Sequence, residues 1–129
     1  SPDKKTPLPG QEVANLYNGK TWVWSIGGSY WGQGGKFEAV WNNAVGIGKW
    51  YATTNGNLCY EAVWKSDAAD ESKITKRCWR HVTDSRGVIW KLDPKTKDWY
   101  KSTNEFSTKI KPGNKIKSEV KKRRAKVGL

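Results

Sequence analysis

From Thr21 onward, apolar and polar residues alternate with a period of two, the spacing of a half-buried β-strand. TWVWSI (Thr21–Ile26), KFEAVWN (Lys36–Asn42), VGIGKWYAT (Val45–Thr53), NLCYEAVWKS (Asn57–Ser66), KITKRCWRHVT (Lys73–Thr83), VIWKLD (Val88–Asp93) and DWYKS (Asp98–Ser102) are rich in β-branched and aromatic residues. Turn-forming clusters separate them: GQGG, NNAVG, TNGN, DAAD, DSRG and DPKTKD. Short strands at this spacing predict an all-β fold, a single antiparallel up-and-down meander closing into a barrel of roughly seven or eight strands. Residues 1–12, with Pro2, Pro7, Pro9 and Gly10, read as a flexible lead-in, residues 13–111 as the barrel domain, and residues 112–129 as a basic C-terminal tail or helix. Val13–Asn18 suits one short helical turn ending at Gly19.

The only two cysteines, Cys59 and Cys78, give the strands a register. If Asp67–Asp70 closes a hairpin, Trp64 faces Lys73, Glu61 faces Lys76, and Cys59 faces Cys78. Opposed residues on antiparallel strands have Cα atoms ~4.5–5.5 Å apart, a separation a disulfide tolerates. The alternative is a pair of reduced, buried cysteines. A two-residue turn at Asn55-Gly56 sets Tyr51 against Tyr60. A similar turn at Ser85-Arg86 sets His81 against Trp90 and Trp79 against Leu92, and one at Lys95-Thr96 sets Leu92 against Trp99. Alternation then predicts an interior made of Ile47, Tyr51, Leu58, Tyr60, Ala62, Trp64, Arg77, Trp79, His81, Val88, Trp90, Leu92 and Trp99. Trp22, Trp24, Ile26, Phe37, Ala39 and Trp41 join it from the first strands. Trp50, Glu61, Lys91 and both cysteines fall on the outer face.

Composition adds two pressures. Seven of the nine tryptophans point inward by this register and can fill a small lumen outright, and the alternative is a lumen that holds one small ligand. The net charge of +12 lies wholly in residues 71–129, because residues 1–70 balance. Such asymmetry points to an anionic partner, whether acidic glycan, lipid headgroup or nucleic acid, against the bland alternative of a solvated tail. Lys121, Lys122, Arg123 and Arg124 form the basic surface of KKRRAK (Lys121–Lys126). On the aromatic face, Arg77 has no interior acid among the registered strands, so either its end lies at the barrel mouth or something anionic meets it. The candidate inner site is therefore Tyr60, Trp64, Arg77, Trp79, His81 and Trp90. The glycine-rich GGSYWGQGG (Gly27–Gly35) carries Tyr30 and Trp31 as loop aromatics that either stack on a ligand or fold back as a lid. There is no GxSxG, HExxH, P-loop or GxGxxG, and Glu61 and Asp93 face outward, so no enzyme activity and no cofactor are expected. Two cysteines without CxxC and a single histidine argue against a metal site. No stretch reaches the ~20 apolar residues of a membrane span.

LYNGKTWVW (Leu16–Trp24), the glycine-rich turn, GKFEAVW (Gly35–Trp41) and RCWRHVTDSRGVIWK (Arg77–Lys91) resemble a family of small exported alphaproteobacterial proteins labelled domain of unknown function 995. The likeness covers roughly residues 13–125 and is most specific at CWRHV with its upstream partner cysteine. It implies a periplasmic or secreted location after signal-peptide removal, and SPDKKTPLPG suits a mature N-terminus. It carries over no catalytic residues. The meander and cysteine pair are also broadly similar to the calycin barrels, such as lipocalins and avidins. Lipocalins carry GxW on the first strand, whereas GKW here (Gly48–Trp50) lies on the third expected strand, so that likeness is architectural. Together these features lead us to expect a non-catalytic exported protein that binds an anionic ligand, an acidic polysaccharide or cell-envelope component. The alternatives are a packed structural or protein-interaction barrel, a small-molecule carrier, and nucleic-acid binding through the basic tail.

Overall fold

The computed structural model describes residues 1–129. In chain order the elements are β1 (Thr6–Pro7), α1 (Gly10–Tyr17), β2 (Lys20–Trp24), β3 (Gly27–Trp31), β4 (Lys36–Trp41), β5 (Ala44–Ala52), β6 (Asn57–Lys65) and β7 (Lys73–Thr83). They continue as β8 (Ile89–Leu92), β9 (Trp99–Lys101), α2 (Thr103–Thr108), β10 (Ile110–Pro112) and α3 (Lys117–Val127). Strands β2 to β9 pair in sequence order, all antiparallel, and β10 adds beyond β2. The fold is thus an all-β up-and-down meander coiled into a half-barrel, with ten strands instead of seven or eight. Helix α2 carries the chain directly from β9 to β10 and so spans the open seam.

All seven expected strands form. The three additional ones, β1, β3 and β10, are two to five residues long and rich in proline or glycine, which hides them from propensity. The glycine-rich stretch expected as a loop is mostly β3. Its Gly27 has a physical reason, since a Cβ there would lie 1.9 Å from the Val40 carbonyl oxygen. The lead-in is not loose where β1 pairs with β7 and the Leu8 amide donates to the His81 carbonyl at 3.1 Å. The basic tail contains α3, which seats Val120 and Val127 against Val40 and Val45 on the outer face of the sheet.

The β6–β7 register matches the expectation residue for residue, from Trp64↔Lys73 through Cys59↔Cys78. Asp67 closes the turn by accepting from the Ala69 and Asp70 amides. Two other registers slip by one. Tyr60 faces Trp50 and not Tyr51, and His81 faces Lys91 and not Trp90. Both turns have three residues, ending in Gly56 (φ 90°) and Gly87 (φ 79°). A type I turn followed by a left-handed glycine adds one residue to the loop. Because side chains alternate, each slip turns a strand over. Trp50 and Lys91 therefore point inward, while Ile47, Tyr51, Trp90, Leu92 and Trp99 lie on the outer face. Ile26, expected inside, is exposed in the β2–β3 turn.

Trp31 lies at the centre, fully buried. Tyr17, Trp22, Phe37, Trp50, Tyr60 and Trp79 surround it at ring-centroid distances of 4.9–6.4 Å. Helix α1 inserts Val13 and Tyr17 into this end of the half-barrel.

The two cysteines are bonded, with Cα atoms 4.1 Å apart on the outer face. Cross-linking a loop of this length stabilises by about 3 kcal/mol on the chain-entropy model. The Cys59→Ser/Cys78→Ser variant should lose about that much unfolding free energy in urea, with the native fold retained. A variant as stable as the parent would show that the bond is no staple.

Candidate functional site

At the end of the half-barrel away from α1, the inward positions become small. Ala44 and Gly46 on β5 replace the rings of the filled end. Gly46 is required, since a Cβ would stand 2.7 Å from the Trp64 ring that lies across it. The space left is a cavity of about 670 Å³. Trp22, Trp24, Trp41, Tyr60, Trp64 and Trp79 supply aromatic walls, and Tyr100 adds another from β9. Arg77, Lys95 and Lys109 bring positive charge, and Asp93 and Glu105 bring negative charge.

Arg77 projects inward from β7 opposite Tyr60 and is half-buried. The chain's two ion pairs are Lys91–Glu105 and Arg123–Glu119, so no carboxylate lies within 4.0 Å of its guanidinium. Burial raises the Tyr60 hydroxyl above its ordinary range, and the adjacent Arg77 charge opposes that rise.

Beneath the cavity lies a buried polar cluster. Lys91, fully buried, donates to Glu105 at 2.7 Å, and its Nζ sits 3.6 Å from the Trp22 ring centroid. Burial lowers its pKa to about 8 against the pull of Glu105. Burial beside the same carboxylate pushes the Tyr100 hydroxyl up. His81 Nδ1 lies 2.9 Å from the Trp79 carbonyl and 3.1 Å from the Gly56 carbonyl. Two acceptors at one nitrogen place the proton there, so Nε2 accepts from the Tyr17 hydroxyl at 2.7 Å. Burial, and then the nearby Lys91 charge, lower the His81 pKa to about 3.

The structure therefore brings Tyr60, Trp64, Arg77 and Trp79 together around one cavity. His81 faces inward but lies beneath that cavity, closed off by its hydrogen bonds. Trp90 is corrected to the outer face, where its Nε1 donates to Asp84 at 2.9 Å. Of the two loop aromatics, Trp31 is core and Tyr30 lies on the outer side of β3. On α3, Lys121, Lys122 and Arg124 are exposed, whereas Arg123 is bound to Glu119 and to the Ala44 carbonyl. Sequence reasoning missed Tyr100, Glu105 and Lys109, which flank or lie in a two-turn helix with no apolar stripe. It also placed Asp93 outside, though it lines the cavity.

His81 makes stability depend on pH. Its folded pKa of about 3 lies below the ordinary 6.5, so between these values the unfolded chain binds a proton that the folded chain does not. Stability should fall as pH drops through this window, by up to about 1.4 kcal/mol per pH unit from this group. Urea unfolding at pH 7, 6, 5 and 4 should show a shallower loss for His81→Gln than for the parent. Parallel profiles would assign the acid sensitivity to other groups.

No helix is long and apolar enough to cross a membrane. No curated protein matches the chain, and no solved structure does. The family model described as "Protein of unknown function (DUF995)" matches residues 1–122, nearly the whole chain, and the chain belongs to that family.

Proposed function

We propose that this protein is a non-catalytic, exported binding protein whose half-barrel cavity takes an anionic ligand, the acidic sugar unit of a polysaccharide or cell-envelope component. The observation that carries the reading is Arg77, a cation in an aromatic cavity with no acid partner. Glu105 is already paired with Lys91. The remaining cavity charges are Arg77, Lys95 and Lys109 against Asp93, an excess of positive charge. A guanidinium offers a planar fork that matches a carboxylate. Indole and phenol rings offer apolar faces with polar edges, which suit a sugar ring. The cavity volume falls in the range of small-molecule sites, and a lumen filled by tryptophan would leave no such space. The disulfide fits an oxidising compartment, which supports export. None of the exposed cations of α3 lines the aromatic cavity, which favours the cavity over single-strand nucleic acid as the specific site.

A small-molecule carrier would use the same cavity, and ligand choice separates the two. Tryptophan fluorescence should change saturably with uronic acids and less with neutral sugars or small aromatic acids. Arg77→Ala should weaken uronic-acid binding about 10- to 100-fold, the worth of a hydrogen-bonded charge, while leaving thermal stability near the parent's. Preference for aromatic acids would favour the carrier. No saturable change with any of these ligands would overturn the reading.

A further inference from the structure

A second space of about 500 Å³ lies beside the cavity, and Trp41, Ala44 and Trp64 line both. The two spaces abut across a pair of indoles at the rim. Trp41 is 43% exposed, unusual for so large an apolar ring. It is held upright by an edge contact with Trp24 at 5.8 Å, while Trp64 is seated on Gly46. Beyond the indoles the chemistry changes. The outer cleft is walled by the Asn42-Asn43 turn between β4 and β5, and by the Lys65, Ser66, Asp70, Glu71 and Lys73 end of the β6–β7 hairpin. Its two cations and two acids balance, and the asparagines and the serine offer neutral donors and acceptors.

We propose that the site holds the end of an oligosaccharide, with an acidic terminal sugar in the cavity and an uncharged, hydroxyl-rich sugar in the outer cleft. This rests on the cavity reading above and extends it. The indoles at the junction, Trp41 exposed and Trp64 half-buried, provide a stacking surface where a glycosidic linkage would cross the rim. The charge excess is confined to the inner space, so a carboxylate gains there. In the outer cleft a carboxylate gains no net attraction, because Asp70 and Glu71 offset Lys65 and Lys73, while hydroxyl groups find partners in the asparagines, Ser66 and the two acids. A chain with a carboxylate on every unit is therefore the poorer fit.

The test compares three probes by calorimetry on the intact protein. They are methyl glycosides of glucuronic, galacturonic and mannuronic acid, the disaccharides in which each acid is linked to glucose, and the corresponding diuronates. The mixed disaccharide of the preferred acid should bind about tenfold tighter than its methyl glycoside, a gain of one subsite's hydrogen bonds and stacking. That gain should persist as salt rises, because the outer cleft is charge-balanced, whereas binding of the acidic unit itself should weaken. The diuronate should show less gain. Asn43→Ala/Glu71→Ala, which alters only the outer cleft, should abolish the tenfold gain and leave the methyl glycoside's affinity unchanged. If an acidic monosaccharide binds through Arg77 but its disaccharide binds no tighter, the outer subsite is refuted and the cavity reading stands. If no acidic sugar binds the parent, both fall.

Discussion

The ammonium of Lys91 is buried away from solvent, and much of the molecule is arranged to satisfy that charge. It is fully buried on β8, in contact with the Trp22 face of β2, and within 5.7 Å of the Tyr17, Tyr100 and Phe106 ring centroids. Taking an ammonium out of water costs several kcal/mol, which only a close acid and good donor geometry can offset. Glu105 supplies the acid, and Glu105 sits on the helix that bridges β9 and β10. One ion pair thus ties the seam of an otherwise open sheet. Aromatic faces around the charge add cation–π attraction that strengthens as water is excluded. Burial, and after it the same charge, keeps His81 neutral, which suits a ring that must donate from one nitrogen and accept from Tyr17 with the other. Tyr17 in turn anchors α1 into the filled end.

Where the sequence was legible, a second constraint duplicated the periodicity. The β6–β7 register was readable because the cysteine spacing and the Asp67–Asp70 turn demanded the same pairing. With that register came Tyr60, Trp64, Arg77 and Trp79, four of the cavity's walls. β5 and β8 had only a turn to set them, and each turn held one residue more than expected. The missed signal was local. In TTNGN and DSRGV the glycine follows a three-residue type I start, and Thr53 and Asp84 side chains accept from the amide four residues on. One residue of error exchanged Trp50 for Tyr51 and Lys91 for Trp90, so the buried cation could not be foreseen. Glu105 was out of reach for a different reason, since a short polar helix leaves no periodic trace and its position depends on the seam it closes.

Nine tryptophans posed the question of a filled or open lumen, and the half-barrel is both. Trp31 and Trp50 occupy the end under α1, where facing residues are also large. Trp24, Trp41 and Trp64 stand at the other end over alanine and glycine. Aromatic content alone cannot separate these cases, because the deciding residues are the small ones. Ala44 and Gly46 remove the volume that would otherwise be packed, and protein interiors do not leave such space unless side chains are short or held apart. Composition counts the rings. The pairing of Trp64 with Gly46 decides whether they fill or line.

The treatment of two inward cations gives the site its meaning. Lys91 and Arg77 both point into the sheet's concave side, and the fold brings a carboxylate to one and none to the other. The strand position that carries Arg77 is nevertheless well braced. Its cross-strand partner is Tyr60, and the next pair along the ladder is Cys59 with Cys78. The disulfide therefore sits directly behind the Tyr60–Arg77 pair, on the opposite face of the same hairpin. A covalent bond there limits how far the two strands can shift relative to each other, and so fixes the backbone position from which the Arg77 side chain reaches the aromatic wall. Rigidity of this kind lowers the ordering cost of binding without adding a contact. A staple placed only for stability could bridge any pair along these strands. At this position it also braces the strand pair that carries Arg77, a cavity cation to which the fold brings no acid, and this fits the anion site proposed above.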